Sequence, residues 1–466
     1  MAVLTLQLLT LKAGKFVVVM NGLNGHVEIF STSFWEKFQE SVRRHQLSKL
    51  DSGLVTGLKR RRLIWDSRCQ EERWADEVRK SLEKRYLRTK VITVTVNFSE
   101  ACNLACAYCF SRTRRDSRQM TQQHIDKIFS FLEEQQKRGH KLLSDEIWLF
   151  GGEPLREENC ALVEYFFKKL AASGFKAAII TNGVTIDKYL TLLTKYRRLI
   201  RIFQITLDGP ARVHDWRRIG VGYPKTFTII SRNINLLLTN GFKVVVRTNV
   251  DETNLAYLPQ LATYMKRKGW LKKKNFRCYL APVVDNRPLY CELSPLARNV
   301  KLIRRFRELS LNHPQLKIFS EKSLYNFPQK FLADVLGKER VKPKVAFCMS
   351  CGAKSFTFAA DGKIYSCRNG VGIDAFRLGS YYPNLRWNRR NLKLWKYRLA
   401  TRMTECLRCP LWFACGGNCT LAAYEQHGDV SAVACQRLRE SLQEWVDLNK
   451  DKIADFVHQT HFKITL

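Results

Sequence analysis

Cys102, Cys106 and Cys109 lie within eight residues of one another in the spacing Cys-x3-Cys-x2-Cys. Three thiolates can clamp one metal centre, yet they fall one donor short of a closed four-coordinate set. A catalytic centre keeps such a vacant position, whereas a structural one fills it. Structural zinc motifs also supply paired Cys-x2-Cys or histidine partners, which this loop lacks. A second concentration lies far downstream. Cys348, Cys351, Cys367, Cys406, Cys409, Cys415, Cys419 and Cys435 make eight thiols, enough for two complete sets of four. Taken alone, Cys406-x2-Cys409 would read as part of a zinc staple. Cys69, Cys160, Cys278 and Cys291 are scattered and are read as small buried hydrophobes without assigned chemistry.

A scaffold must hold these loops. Between residues 91 and 310, short β-rich runs alternate with helical patterns, the signature of repeated βα units and a parallel sheet. Six strands are expected: Val91–Phe98, Glu146–Phe150, Lys176–Thr181, Arg201–Leu207, Lys243–Asn249 and Asn275–Val283. Thr121–Arg138 and Thr226–Thr239 carry apolar residues at helical spacing. Several strands end in turn chemistry: Gly151-Gly152-Glu153-Pro154, Asn182-Gly183 and Asp208-Gly209-Pro210. Ligands of parallel α/β folds gather at the carboxyl ends of strands, so a site is sought there. Residues 1–90 form a separate small α/β unit with a strand at Phe16–Met20, an amphipathic Phe34–Arg44 and a charged helix at Glu71–Arg85. Residues 311–347 read as a connector, 348–438 as a cysteine-rich domain, and 439–466 as a closing helix and tail, the helix spanning Gln436–Val457.

Composition narrows the class. The chain has 466 residues, 45% of them hydrophobic, which is enough to bury real cores and excludes disorder, collagen-like repeats and a small disulfide scaffold. No stretch reaches the length of uncharged apolar residues that a membrane span needs, and Met1–Leu11 lacks the basic start of a secretory signal. The fifteen thiols therefore suit a reducing cytoplasm, where they serve as metal ligands. A formal charge of +37 admits three readings: attraction of nucleic acid, steering of an acidic peptide, or solvated background. No nucleic-acid motif accompanies it, and the densest runs, Lys59–Arg62 and Lys272–Lys274, are short enough to be exposed turns or helix faces.

With Tyr108 before its last cysteine, Cys102-x3-Cys106-x-Tyr108-Cys109 resembles the signature of the radical S-adenosylmethionine (radical SAM) enzymes. Gly151-Gly152-Glu153-Pro154, after the second strand, resembles the motif whose backbone meets the methionine amino group of the cofactor in that family. The resemblance implies a partial (β/α)6 TIM-like barrel with a [4Fe-4S] cluster on Cys102, Cys106 and Cys109, and SAM chelating the fourth iron. Reduction would cleave SAM to a 5′-deoxyadenosyl radical that abstracts hydrogen, with the protein supplying position and exclusion of water. The stretches Gln204–Arg218 and Arg247–Asn249 are similar to those of family members that modify peptides and proteins, which makes Thr206 and Arg218 candidate SAM contacts beside Tyr108, Gly151, Gly152 and Glu153. His214 and Asp215 suit a helix-entry cap at least as well as a role in the site.

The downstream cysteines resemble the SPASM type of auxiliary cluster domain. That resemblance implies two further [4Fe-4S] clusters, one on Cys348, Cys351, Cys367 and Cys419 and the other on Cys406, Cys409, Cys415 and Cys435, three clusters in all. In the sulfatase-maturing branch an Asp acting as proton acceptor follows the Cys of the Gly-x4-Cys element. Arg368 stands there in this chain, and a guanidinium accepts no proton at working pH. Tyr365–Gly372 looks more like peptide maturases that install thioether or other cross-links in ribosomally made precursors, some of which carry a precursor-recognition domain at the N-terminus. The expectation is thus an oxidoreductase acting on a precursor peptide and supplied with electrons by a flavodoxin or ferredoxin. Its catalytic residues beyond the cofactor are unassigned. Modification of a folded protein is the second reading, and a zinc-stapled nucleic-acid-binding module is the alternative of another class.

Overall fold

The computed structural model describes residues 3–109, 116–283, 295–339, 341–435 and 438–459; Cys291, Gln436 and the end of the tail lie outside them. Near the N-terminus, β1 (Val3–Leu4) pairs with β5 (Ile64–Trp65), while β2 (Leu8–Ala13), β3 (Phe16–Asn21) and β4 (Val27–Ser31) form an antiparallel meander. Helices α1 (Thr32–Arg43), α2 (Ser52–Arg60) and α3 (Arg68–Arg88) begin where Ser31, Asp51 and Ser67 accept hydrogen bonds from the backbone N–H of Phe34, Leu54 and Gln70. All six residues of β3 are buried because the meander is covered on both faces. Val17, Val19 and Phe30 pack with Phe34, Trp35 and Phe38 of α1, whereas Leu9, Leu11, Val18 and Ile29 join the main core. The basic run at its end is largely spent inside this unit: Lys59 pairs with Asp66, Arg61 with Glu28, and Arg62 lies over Trp65 and Trp74. Lys272–Lys274 occupies a turn on the surface.

Six parallel strands follow: β6 (Val91–Asn97), β7 (Lys141–Leu149), β8 (Lys176–Thr181), β9 (Ile200–Thr206), β10 (Val244–Val250) and β11 (Phe276–Pro282). They are wound by α4 (Gln122–Lys137), α5 (Cys160–Ser173), α6 (Ile186–Lys195), α7 (Ala211–Arg217), α8 (Thr226–Thr239) and α9 (Leu258–Arg267). This is the α/β partial barrel that the spacing of elements predicts. The expected strand ends hold to within one residue except at β7, which begins at Lys141 rather than Glu146. Ser144 and Asp145, polar enough to read as a turn, instead take left-handed φ of 58° and 55° and form an irregularity within the strand.

The segment expected as a connector over 311–347 holds short turns and one helix that send a few apolar side chains into the core. After α10 (Pro295–Asn312), short 3-10 turns bury Leu316, Phe319 and Leu324, and α11 (Phe327–Leu336) starts from a capping box between Asn326 and Gln329. Turns of three to five residues carry no 3.6-residue period, which is why the pattern was hidden.

The cysteine-rich region is not a separate layer. β12 (Ser355–Ala359) pairs in parallel with β6, and β13 (Lys363–Tyr365), β14 (Arg377–Ser380) and β15 (Arg386–Trp387) continue antiparallel, so one sheet runs through ten strands. The helices α12 (Arg389–Tyr397), α13 (Thr404–Leu407), α14 (Trp412–Cys415) and α15 (Thr420–His427) carry or flank the later cysteines. The closing segment is two helices, α16 (Leu438–Leu448) and α17 (Lys450–Gln459), parted at Asn449, whose side-chain oxygen and the Leu448 carbonyl both accept from Arg307. Among the described residues no helix is long and apolar enough to cross a membrane.

Candidate active site

The Cys102–Cys109 loop leaves the carboxyl end of β6 and is zipped to the segment following α7. Ala105 N donates to Ile219 O (2.7 Å), Ala107 N to Arg217 O (3.0 Å) and Val221 N to Asn103 O (2.9 Å). The Cys102 thiol accepts from Leu104 N at 3.4 Å and from Asn182 Nδ2, at the end of β8, at 3.8 Å. Backbone pairing of this kind fixes where the three sulfurs start, leaving only side-chain rotation to place them.

Gly151 and Gly152 lie directly beneath the start of this loop. A Cβ on Gly151 would meet Asn97 Oδ1 at 1.8 Å, and one on Gly152 would meet Ala101 O at 2.1 Å. Gly152 N and Glu153 N donate to Ser99 O and Ala101 O, both at 3.0 Å. The Glu153 carboxylate is 1% exposed and wholly engaged, accepting from Leu155 N (2.9 Å), Thr181 Oγ1 (2.6 Å) and Asn182 N (2.6 Å). Burial raises its pKa against the pull of those bonds. Its side chain therefore braces the ends of β7 and β8, accepting from both sides of the turn.

Tyr108 is the hub. Its hydroxyl donates to Asp208, and accepts from Arg218 Nη1 (2.8 Å) and Asn249 Nδ2 (3.0 Å), while the Arg217 guanidinium lies 5.1 Å from its ring centroid. Burial holds the phenol far above its ordinary range, so it stays protonated. Asp208 also accepts from Asn249 N (2.9 Å), and Arg217 grips Asp251 through both nitrogens (3.0 and 2.9 Å). From sequence, Asp208 and Asn249 stand out only as members of strand-end stretches, and none of Asp208, Arg217, Asn249 and Asp251 has a role of its own. The available signal was their place at or just beyond the ends of β9, α7 and β10.

Arg218 is 7% exposed, and its Nε has no hydrogen-bond partner. The neighbouring Cys106 thiol, Tyr108 and Asp208 outweigh burial in keeping it cationic. A buried guanidinium bonded to the cysteine loop through Tyr108 and left with an unused N–H suits a ligand carboxylate, so the residues present fit the cofactor that the motif implies. Thr206 ends β9, 9% exposed and in register with Arg247. His214 and Asp215 serve the scaffold: His214 is fully buried, accepts from Asp208 N at 3.3 Å and is kept neutral by burial, while Asp215 accepts from Thr226 Oγ1 and Phe227 N and so caps α8. Arg368 is exposed, with its guanidinium 5.7 Å from the Trp148 ring and 5.1 Å from that of Phe150, just past the end of β7.

Electrostatic neighbourhoods divide the eight downstream thiols into two groups. Cys348, Cys351, Cys367 and Cys419 sense one another, as do Cys406, Cys409, Cys415 and Cys435. A hydrogen bond from Cys348 and then the nearby Arg398 guanidinium hold the Cys351 thiol below its ordinary value. Burial raises those of Cys367, Cys406 and Cys415. Among the described residues no three thiol, imidazole or carboxylate groups converge on a point that one ion could occupy. Of the unassigned cysteines, Cys69 and Cys160 are exposed, not buried as expected, and only Cys278 is half-buried, its thiol pushed up to about 11 by burial.

Comparison with known proteins agrees with this geometry. Residues 96–262 match the Radical SAM superfamily. A serine-type anaerobic sulfatase-maturating enzyme of Bacteroides thetaiotaomicron is 23% identical over 70% of this chain and 82% of its own length. Among solved structures, anSMEcpe with bound AdoMet superposes with a TM-score of 0.58 at 16% identity, covering 79% of this chain and 100% of that one. Streptococcus suis SuiB bound to precursor peptide SuiA gives a TM-score of 0.50 at 14% identity, covering 94% and 99%. With the cysteine loop, the glycine pair and Arg218 assembled at the mouth of a parallel barrel, this chain carries a radical SAM domain, and its relatives include anaerobic sulfatase maturases.

Proposed function

We propose that this protein is a radical SAM maturase that holds a [4Fe-4S] cluster on Cys102, Cys106 and Cys109 and modifies a ribosomally made precursor peptide. The observation that carries the reading is the cysteine loop, paired with the segment after α7 and bonded through Tyr108 to Arg218, whose buried Nε has no partner. Bound there, cluster and SAM supply one-electron reductive cleavage of the sulfonium to a hydrogen-abstracting radical. The chain's own residues position and shield. Arg218 offers its unpaired Nε–H to the methionine carboxylate, Thr206 a hydroxyl, and the Gly151–Glu153 backbone its carbonyl oxygens to the amino group. Tyr108 and Asp208 lock Arg218 in place. The surrounding strands keep bulk water from the reacting centre.

Two auxiliary [4Fe-4S] clusters, one on each group of four downstream cysteines, would relay electrons or support the substrate channel. A peptide substrate is favoured over a folded one because Arg368, not a carboxylate, faces Trp148 and Phe150 where a proton acceptor would sit. The N-terminal unit would recognise the precursor. The match to SuiB leaves about 28 residues of this chain uncovered, so most of that unit lies inside it. A flavodoxin or ferredoxin in a reducing cytoplasm would supply the electrons.

Anaerobic purification tests the proposal: about twelve irons and no zinc per chain are expected, four for each of three clusters. Replacing Cys102, Cys106 and Cys109 together by Ala leaves about eight irons and abolishes SAM cleavage. SAM cleavage at an unchanged rate in that variant overturns the site.

A further inference from the structure

Arg398, at the end of α12, is 4% exposed. Its guanidinium donates to Val430 O, to Ala432 O at 2.9 Å, to Asn418 O at 3.3 Å and to the Cys351 thiol at 3.6 Å. Among the described residues no carboxylate forms an ion pair with it. Carbonyl dipoles satisfy the N–H groups but leave a full positive charge out of water, a costly state unless anions stand nearby. Two kinds of anion stand nearby: the Cys351 thiol in direct contact, and the Asp429 carboxylate beside the Val430 carbonyl that Arg398 grips. The second group is reached through backbone: Arg398 holds Ala432 O, three residues before Cys435, and the carbonyl of Asn418, whose side chain donates to Ala434 O just before Cys435. Its carbonyl partners belong to the same loops: Asn418 immediately precedes Cys419, and Val430 and Ala432 lead into Cys435. One cation thus touches the first group and fastens the loops that lead to Cys419 of the first and Cys435 of the second.

We propose that Arg398 is a positioning residue shared by the two auxiliary sulfur sets, holding their ligand loops in place and raising the reduction potentials of both centres through its charge. The inference rests on the reading that each set holds a [4Fe-4S] cluster. Each centre takes up one electron from an external reductant on titration and becomes more negative by one charge. A fixed cation beside it favours that reduced form.

The test uses full-length protein carrying Cys102→Ala, Cys106→Ala and Cys109→Ala, so that only the auxiliary centres remain, titrated anaerobically with dithionite and followed by electron paramagnetic resonance. Arg398→Gln is expected to lower both midpoint potentials while about eight irons remain. Arg398→Lys, which keeps the charge but loses the fork, is expected to restore both potentials. Unchanged potentials in Arg398→Gln at full iron content, or a shift in only one centre, overturn the proposal. If Arg398→Gln fails to hold iron, Arg398→Lys decides: iron and potentials retained support a role for charge, and iron lost overturns it. Zinc, or no iron, in the parent protein would instead refute the underlying cluster reading.

Discussion

Arg218 Nη1 donates to the hydroxyl of Tyr108 at 2.8 Å, joining the loop that carries Cys106 and Cys109 to a residue 110 positions later in the chain. Because the same hydroxyl donates to Asp208 and accepts from Asn249, one oxygen ties the ends of β9 and β10 to the cysteine loop. Tyr108→Phe should therefore leave three buried polar groups short of a partner. A loss of about 1–3 kcal/mol in unfolding free energy is expected from anaerobic urea titration, together with weaker SAM binding by calorimetry. Wild-type stability and SAM affinity in this variant would refute the hub.

Gly152 has no room for a methyl group, since backbone oxygens of Ala101 and Glu100 lie 2.1 and 2.4 Å from where a Cβ would be. Gly152→Ala should cost about 1–3 kcal/mol and displace the cysteine loop. Gly14→Ala is the control, with φ of 62° but nothing within 4 Å of the added carbon, and backbone strain alone predicts about 1 kcal/mol there. Similar thermal shifts and similar iron retention in the two variants would show that the crowding is immaterial.

The bidentate grip of Arg217 on Asp251 carries a pH signature. Arg217 and Thr253 outweigh burial and hold the Asp251 carboxyl below its ordinary value, so its folded pKa is depressed. Such a group contributes stability that is present above the unfolded pKa of about 3.9 and lost as pH falls through the folded value. Asp251→Asn should accordingly destabilise the protein at neutral pH by about 1–3 kcal/mol, with the difference from wild type shrinking toward pH 3. A difference that stays constant with pH would remove the ion pair from the account.

Gln443 of α16 meets the outer edge of β2 with its carboxamide, accepting from Lys12 N at 3.0 Å and donating to Lys12 O at 2.8 Å, as a neighbouring strand would. Gln443→Ala should expose that edge, at a cost of about 0.5–1.5 kcal/mol. Native-state hydrogen exchange should then show the Lys12 amide exchanging faster while amides of β6 keep their protection. Equal exchange at Lys12 in both proteins would mean that the amide contact contributes nothing.

Local pattern was enough for much of this protein. Cysteine spacing, the glycine pair and the alternation of β-branched runs with helical stretches point to a parallel barrel with a sulfur-rich loop at its mouth, because each of these signals is written over a few neighbouring residues. The pairing of β6 with β12 was not legible, since it joins Thr95 to Thr357 and neither short segment names its partner. Nor could spacing disclose the meeting of Tyr108, Asp208, Arg218 and Asn249, or the single guanidinium of Arg398 fastening loops that lead to both groups of thiols. Those relationships arise only when strand ends converge and loops from distant parts of the chain share one buried volume, where a polar group must find whatever partner the packing brings within reach.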